Sequence, residues 1–215
     1  MADYEEVLRS RLDEESQEKL FALDNEAVSR FAAKYVEICN PDSVFVGTDS
    51  AEDLSYIRRR SLELGEEKAL KRPGHTVHFD GYHDQARDKQ NTCYLLPPDA
   101  DLGERLNSVD RQEGLEEVHG YLENSMEGKE MFIRFFCLGP KESPFSLPAM
   151  QITDSTYVAH SEDILYRNGY ETFKRMGGSA NFFRFVHTAG ELEGGVSAEV
   201  DKRRVYIDLK ADIVY

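Results

Sequence analysis

An α/β fold, a mixed β-sheet with helices packed on its faces, is predicted by three features of the sequence. A short β-branched run, SVFVG at 43–47, is followed by a capping turn and a helical stretch at 51–66, the strand–turn–helix unit of an α/β layer. Further strand-like runs at 93–97, 130–139 and 149–155 are interleaved with helical patterns. The 215 residues are 40% hydrophobic and 11% aromatic, a globular composition with length enough for a sizeable core, and their number fits one large domain or two small ones, the single domain over residues 1–215 being the expectation taken.

The elements follow in order. Residues 3–22 carry Val7, Leu8, Leu12, Leu20 and Phe21 at roughly helical spacing among dense charge. Asn25 is placed as the N-cap of EAVSRFAAKYVEICN, where Val28, Phe31, Ala32, Tyr35, Val36 and Cys39 form one apolar face and Pro41 stops the helix. Thr48, Asp49 and Ser50 offer the next cap. Beyond Pro73-Gly74, HTVHF (75–79) and CYLLP (93–97) alternate as strands, with the polar GYHDQARDKQNT between them. Residues 110–126 read as a helix in spite of Gly114 and Gly120. EMFIRFFCLG (130–139) is apolar on both faces, which predicts a central strand. A loop with three prolines, 139–148, leads to the strand at 149–155. Residues 161–178, capped by Ser161, and residues 179–190 are both predicted as helices. A surface turn at 191–199 precedes strand-like alternation up to Tyr215. Ending on such an uncapped strand edge predicts a piece of a longer polypeptide.

Charge and composition exclude several classes. The formal charge of −15 speaks against non-specific nucleic-acid binding, because the phosphate backbone would be repelled. No apolar run approaches the ~20 residues of a membrane helix, so no membrane partner is expected. The acidic, amphipathic first twenty residues do not read as a signal or transit peptide. Cys39, Cys93 and Cys137 are odd in number, widely spaced and set beside apolar neighbours. They are expected to be buried free thiols in a reducing cytoplasm rather than zinc ligands.

Candidate sites are sparse. There is no G-x-x-x-x-G-K-[ST] and no G-x-G-x-x-G. The turn Gly47-Thr48-Asp49 could present amides to an anion, although a lone glycine there is ordinarily a packing choice. His75, His78, Asp80, His83 and Asp84 are the densest group of potential metal ligands. On a strand, His78 and Asp80 share one face and His75 the other, so a three-ligand site is awkward and exposed polar residues around Gly81 are the plainer reading. Arg58, Arg59 and Arg60 fan round a helix as a solvated face. Ser143, Thr153, Asp154, Ser155 and His160 lack a nucleophile elbow and read as turn, strand and cap. The guanidinium of Arg87 suits bidentate recognition of a carboxylate or phosphate, while its neighbours Asp84 and Asp88 offer an ordinary surface ion pair.

Several segments, taken in order, resemble the N-terminal domain of GTP-dependent phosphoenolpyruvate carboxykinases. FVGTDSAED (45–53) is similar to that family's early strand and acidic turn. DQARDKQNT (84–92) resembles the segment with its substrate-carboxylate arginine, departing at Lys89 where the best-known members carry a glutamate. The longest piece, 131–177, resembles an aromatic strand, then G-P-x-x-S-P (Gly139, Pro140, Ser143, Pro144), then a strand closing in T-D-S-x-Y-V (Thr153, Asp154, Ser155, Tyr157, Val158), and ends in Arg175, Met176 and Gly177. HTAGELEG (187–194) sits where the family has a similar turn.

The resemblance implies conversion of oxaloacetate and GTP to phosphoenolpyruvate, carbon dioxide and GDP, a step of gluconeogenesis. It implies that Arg87 is substrate-binding, clamping a carboxylate of oxaloacetate or the phosphate of phosphoenolpyruvate. It places no catalytic, cofactor-binding or metal-binding residue in this chain. Mn2+ or Mg2+ and GTP are the expected cofactors of the parent enzyme, held by a C-terminal nucleotide and metal domain that lies outside this chain. The chain is accordingly expected to be inactive alone. On the residues by themselves two other readings stay open: a stand-alone binding domain for a small dicarboxylate or phosphorylated acid, and a structural or interaction domain.

Overall fold

The computed structural model describes residues 3–79, 88–193 and 196–215. The chain opens with α1 (Tyr4–Arg11), α2 (Glu14–Phe21) and α3 (Glu26–Cys39), then β1 (Ser43–Val46), α4 (Ala51–Glu63) and the short pair β2 (Lys68–Ala69) and β3 (Thr76–Val77). Next come β4 (Thr92–Leu96), β5 (Ser108–Asp110), α5 (Arg111–Leu122), β6 (Glu130–Leu138), β7 (Leu147–Thr153) and α6 (Thr156–Leu165). The rest is β8 (Arg167–Asn168), α7 (Tyr170–Arg175), β9 (Phe183–His187), β10 (Leu192–Glu193), β11 (Val196–Ser197), a 3-10 turn (Val200–Lys202), β12 (Val205–Asp208) and β13 (Ile213–Val214).

One mixed sheet runs β1-β6-β7-β9-β13-β12-β4-β5, with β8 added to β6. The expectation of a mixed sheet with helices on its faces holds. β6 is central as its composition predicts: β1 pairs with it in parallel, β7 and β8 antiparallel, and Met131 to Cys137 are all buried. Its alternating side chains divide the core. Ile133 and Phe135 join the large cluster built on Leu8, Val28, Phe31, Tyr35, Val36 and Phe173, whereas Phe132 packs with Ile57 of α4 and Ala159 of α6. Helices therefore cover both faces. Asn25 caps α3, its side chain accepting from the Val28 amide at 3.2 Å.

One expectation is refined and two are corrected. Residues 3–22 are two helices, because Asp13 stops one and caps the next, accepting from the Ser16 amide at 2.7 Å. Residues 161–178 are not one helix. Ser155, not Ser161, caps α6, and the chain leaves the helix at Tyr166 to pair along β6 before α7 begins. Gly169 makes that passage possible, since a Cβ there would lie 2.5 Å from the Phe136 carbonyl carbon. Residues 179–190 hold strand β9, not a helix. The aromatic run FFRFVH is inserted between β7 and β13, parallel to both, and ladder bonds to two neighbours outweigh local propensity.

Candidate functional site

The parallel strands β7 and β9 end side by side, with Thr153 opposite His187, and α6 begins just beyond. The carboxyl edge of parallel strands is where α/β sheets receive ligands. A cleft of about 580 Å³ opens there, with Glu66, His78, Ser155, Tyr157, His187 and Arg203 among its walls.

A buried acid, Asp154, and the buried Thr153 brace this edge. Asp154 accepts from Lys129 Nζ at 2.7 Å, Thr188 Oγ1 at 2.8 Å and the Ala189 amide at 2.8 Å, and Lys129 also donates to the Gly190 carbonyl at 2.8 Å. The turn after β9 is thereby tied to the end of β7. Thr153 Oγ1 accepts from the Ser155 amide at 3.0 Å and lies 2.8 Å from His187 Nδ1. Burial pushes the basicity of His187 down, against the pull of Asp154 and Glu66.

Glu66 and Glu67, in the turn after α4, clasp the start of α6. The Glu66 carboxylate accepts from Ser155 Oγ at 2.7 Å and from the Thr156 and Tyr157 amides at 3.2 and 3.0 Å, answering donors that a helix start leaves unpaired. Glu67 accepts from Thr76 Oγ1 at 2.9 Å and sits 2.7 Å from His160 Nδ1. Burial would raise its carboxyl, but hydrogen bonding with His160 and Thr76 helps outweigh that and holds it below the ordinary range. His78 closes the clasp. Its Nδ1 is 2.6 Å from the Glu66 carbonyl, and its ring stacks on Tyr157 with centroids 3.6 Å apart.

Arg87 lies outside the described residues, as do Asp80, His83 and Asp84. The chain on either side of them is described. His78 lines the cleft. On the other side, bonds from the Asn91 side chain and amide hold the Asp88 carboxyl below its usual range, with a smaller contribution from Arg203, which also lines the cleft. The approach on the His78 side thus reaches the cleft. Lys89 presents its carbonyl to Asn107 Nδ2.

The other candidates resolve into structural roles. Thr48 of the early turn gives its amide and hydroxyl to Asp53 at 2.7 and 2.6 Å, and Asp49 accepts from the Tyr170 amide at 2.9 Å. The anion that this turn attracts is an internal carboxylate. Arg60 pairs with Glu63 and Glu130, so the arginine fan is only partly solvated. His75 is exposed. Among the described residues no three of His, Cys, Asp and Glu come together as metal ligands, and no helix is long and apolar enough to cross a membrane. Glu66, Lys129 and His187 were not singled out by the sequence. Only His187 carried a signal, its place at the head of the H-T-A-G run.

The family model described as the phosphoenolpyruvate carboxykinase N-terminal domain matches residues 30–215. The chain is similar to the protein named phosphoenolpyruvate carboxykinase [GTP] of Thermococcus sibiricus, 54% identical over 98% of this chain and 34% of that protein. Its counterpart in Thermococcus kodakarensis is 55% identical over the same shares, 98% and 34%. The protein of that name in Saccharolobus solfataricus is 40% identical over 98% of this chain and 33% of its own length. The chain spans about a third of the length of these relatives.

Proposed function

Because the chain belongs to the phosphoenolpyruvate carboxykinase N-terminal domain family, we propose that it is the substrate-holding part of a GTP-dependent phosphoenolpyruvate carboxykinase. The reaction turns oxaloacetate and GTP into phosphoenolpyruvate, carbon dioxide and GDP. The observation that carries this reading is the match across residues 30–215, with identity above half to relatives of that name.

In this reading the chain binds and orients. Arg87 clamps a carboxylate of oxaloacetate, or the phosphate of phosphoenolpyruvate, through paired guanidinium donors. His78, which precedes the Arg87 segment, lines the cleft together with Arg203, and this supports a substrate site at the carboxyl edge of β7 and β9. A divalent ion, Mn2+ or Mg2+, supplies charge neutralisation in phosphoryl transfer when bound. Among the described residues no three of His, Cys, Asp and Glu come together to hold such an ion. Three free thiols accord with a cytoplasmic setting.

The test is direct. The 215-residue chain should bind phosphoenolpyruvate without forming it from oxaloacetate, GTP and Mn2+, and a full-length protein containing it should catalyse that reaction. Turnover by the isolated chain, or a full-length protein without GTP-dependent turnover, would overturn the reading.

A further inference from the structure

His187 stands in the cleft with one ring nitrogen engaged and no task in the reading above. The hydroxyl of Thr153 fixes its state. A hydroxyl has one proton to give and two lone pairs. The Ser155 amide uses one lone pair, at 3.0 Å. No other acceptor for this hydroxyl is found among the described residues, so its proton points to His187 Nδ1, 2.8 Å away. Nδ1 is then the acceptor, and the ring proton sits on Nε2.

Nε2 bonds to no described residue and is not sealed off, because His187 is only half-buried and lines the cleft. The charged groups around the ring are Asp154, Glu66, Lys129 and Arg203. The two carboxylates, which would favour a second proton, are occupied elsewhere: Asp154 by Lys129, Thr188 and Ala189, and Glu66 by the start of α6. With burial, that leaves a neutral ring on the wall of the cleft, its Nε2–H without a protein partner among the described residues.

We propose that His187 is a substrate contact, a neutral donor whose Nε2–H receives a carboxylate or carbonyl oxygen of a small organic acid held in the cleft. That the acid is oxaloacetate or phosphoenolpyruvate rests on the carboxykinase reading. The tautomer and the donor do not. A neutral donor suits an oxygen shared between reactant and product, since it orients without adding a full charge that would hold one of them too tightly.

Long-range proton–nitrogen spectra of the 215-residue chain read the tautomer, and titration with phosphoenolpyruvate and with oxalate reads the contact. The proton is expected on Nε2, with a saturable shift of that nitrogen on adding either acid. His187→Phe should weaken binding about tenfold, the loss of one hydrogen bond to a charged acceptor. His187→Gln, which returns an N–H near the Nε2 position, should recover most of it. Equal unfolding midpoints for the two variants would separate contact from packing. A proton on Nδ1, or a His187 signal unmoved by both acids, overturns the proposal, and both readouts use the unaltered chain and so survive a variant that fails to fold. If Arg87 signals move while His187 stays still, this inference falls and the carboxykinase reading stands. If neither moves, both fall.

Discussion

A Cβ on Gly47 would stand 2.1 Å from Nη1 of Arg134, so the bare backbone of one residue makes room for the guanidinium of the other. Arg134 is 1% exposed, paired with Asp163 of α6 and donating to the Thr48 carbonyl at 3.2 Å. The glycine after β1 therefore serves a buried ion pair rather than an anion site. Gly47→Ala should push the guanidinium off its partners and cost about 2–4 kcal/mol, the range for overpacking combined with a broken buried pair. Urea unfolding measures it, and a loss no larger than that of Gly120→Ala, where a Cβ meets nothing within 4 Å, would contradict the explanation.

Beside that pair lies Glu162. Burial pushes its carboxyl up to about 8, the neighbouring Asp163 adds to the rise, and Arg134 opposes it. The folded chain thus keeps a proton that an unfolded glutamate, with an ordinary value of 4.5, releases. In that window the native state binds more protons, so stability is greatest at the acid end and is lost as pH rises towards about 8. The slope from this one group is at most about 1.4 kcal/mol per pH unit. Glu162→Gln should flatten the profile and raise stability at the alkaline end. Urea midpoints across the window test this, and an unchanged slope in the variant would remove Glu162 as the source.

The legible parts of the fold are those where local chemistry and tertiary context agree. Asn25 before an apolar face, and the doubly apolar 131–137, are fixed by capping and burial alone. The illegible parts are those where a distant partner decides. Nothing within 179–190 reveals that β7 and β13 wait on either side of it, and nothing within 161–178 reveals that β6 offers a free edge to Arg167 and Asn168. The cleft shows the same division. Thr153, Asp154, Ser155 and His160 read as structural in the sequence, and each is hydrogen-bonded within the fold. Glu66 became visible only in space, because its partners lie about ninety residues on.

The thiols give a chemical check on the core. Burial pushes the Cys39 thiol up to about 12 and also raises that of Cys93, which is half-buried. Nucleophilic attack needs the thiolate. Cys39 and Cys137, both buried, should resist a thiol reagent at mildly alkaline pH until the chain is unfolded, with Cys93 reacting first and slowly. Mass spectrometry of protein prepared without reductant should find all three reduced. A disulfide between any two, or prompt labelling of Cys39 in the folded chain, would contradict the packing.

Arg87 separates a substrate clamp from a surface ion pair. In the carboxykinase reading it gives paired donors to a carboxylate or phosphate that a second part of the enzyme also grips, and such a group lowers the barrier by holding the acid in reacting position. In a full-length carboxykinase containing this chain, Arg87→Ala should raise KM for oxaloacetate and also depress kcat, for a combined loss of about 2–4 kcal/mol in transition-state binding. The plain alternative is an exposed pair with Asp84 or Asp88, whose removal costs about 0–1 kcal/mol of stability and nothing in catalysis. Asp88 already has partners, accepting from the Asn91 side chain at 2.6 Å and from the Gln90 and Asn91 amides at 3.1 Å, so it does not depend on the arginine for them. Arg58 of α4, which is not among the residues lining the cleft, is the control. Steady-state kinetics decides the matter: a kcat/KM for Arg87→Ala equal to that of Arg58→Ala and of the parent would return Arg87 to the surface, and a loss confined to Arg87→Ala would place the substrate beside it.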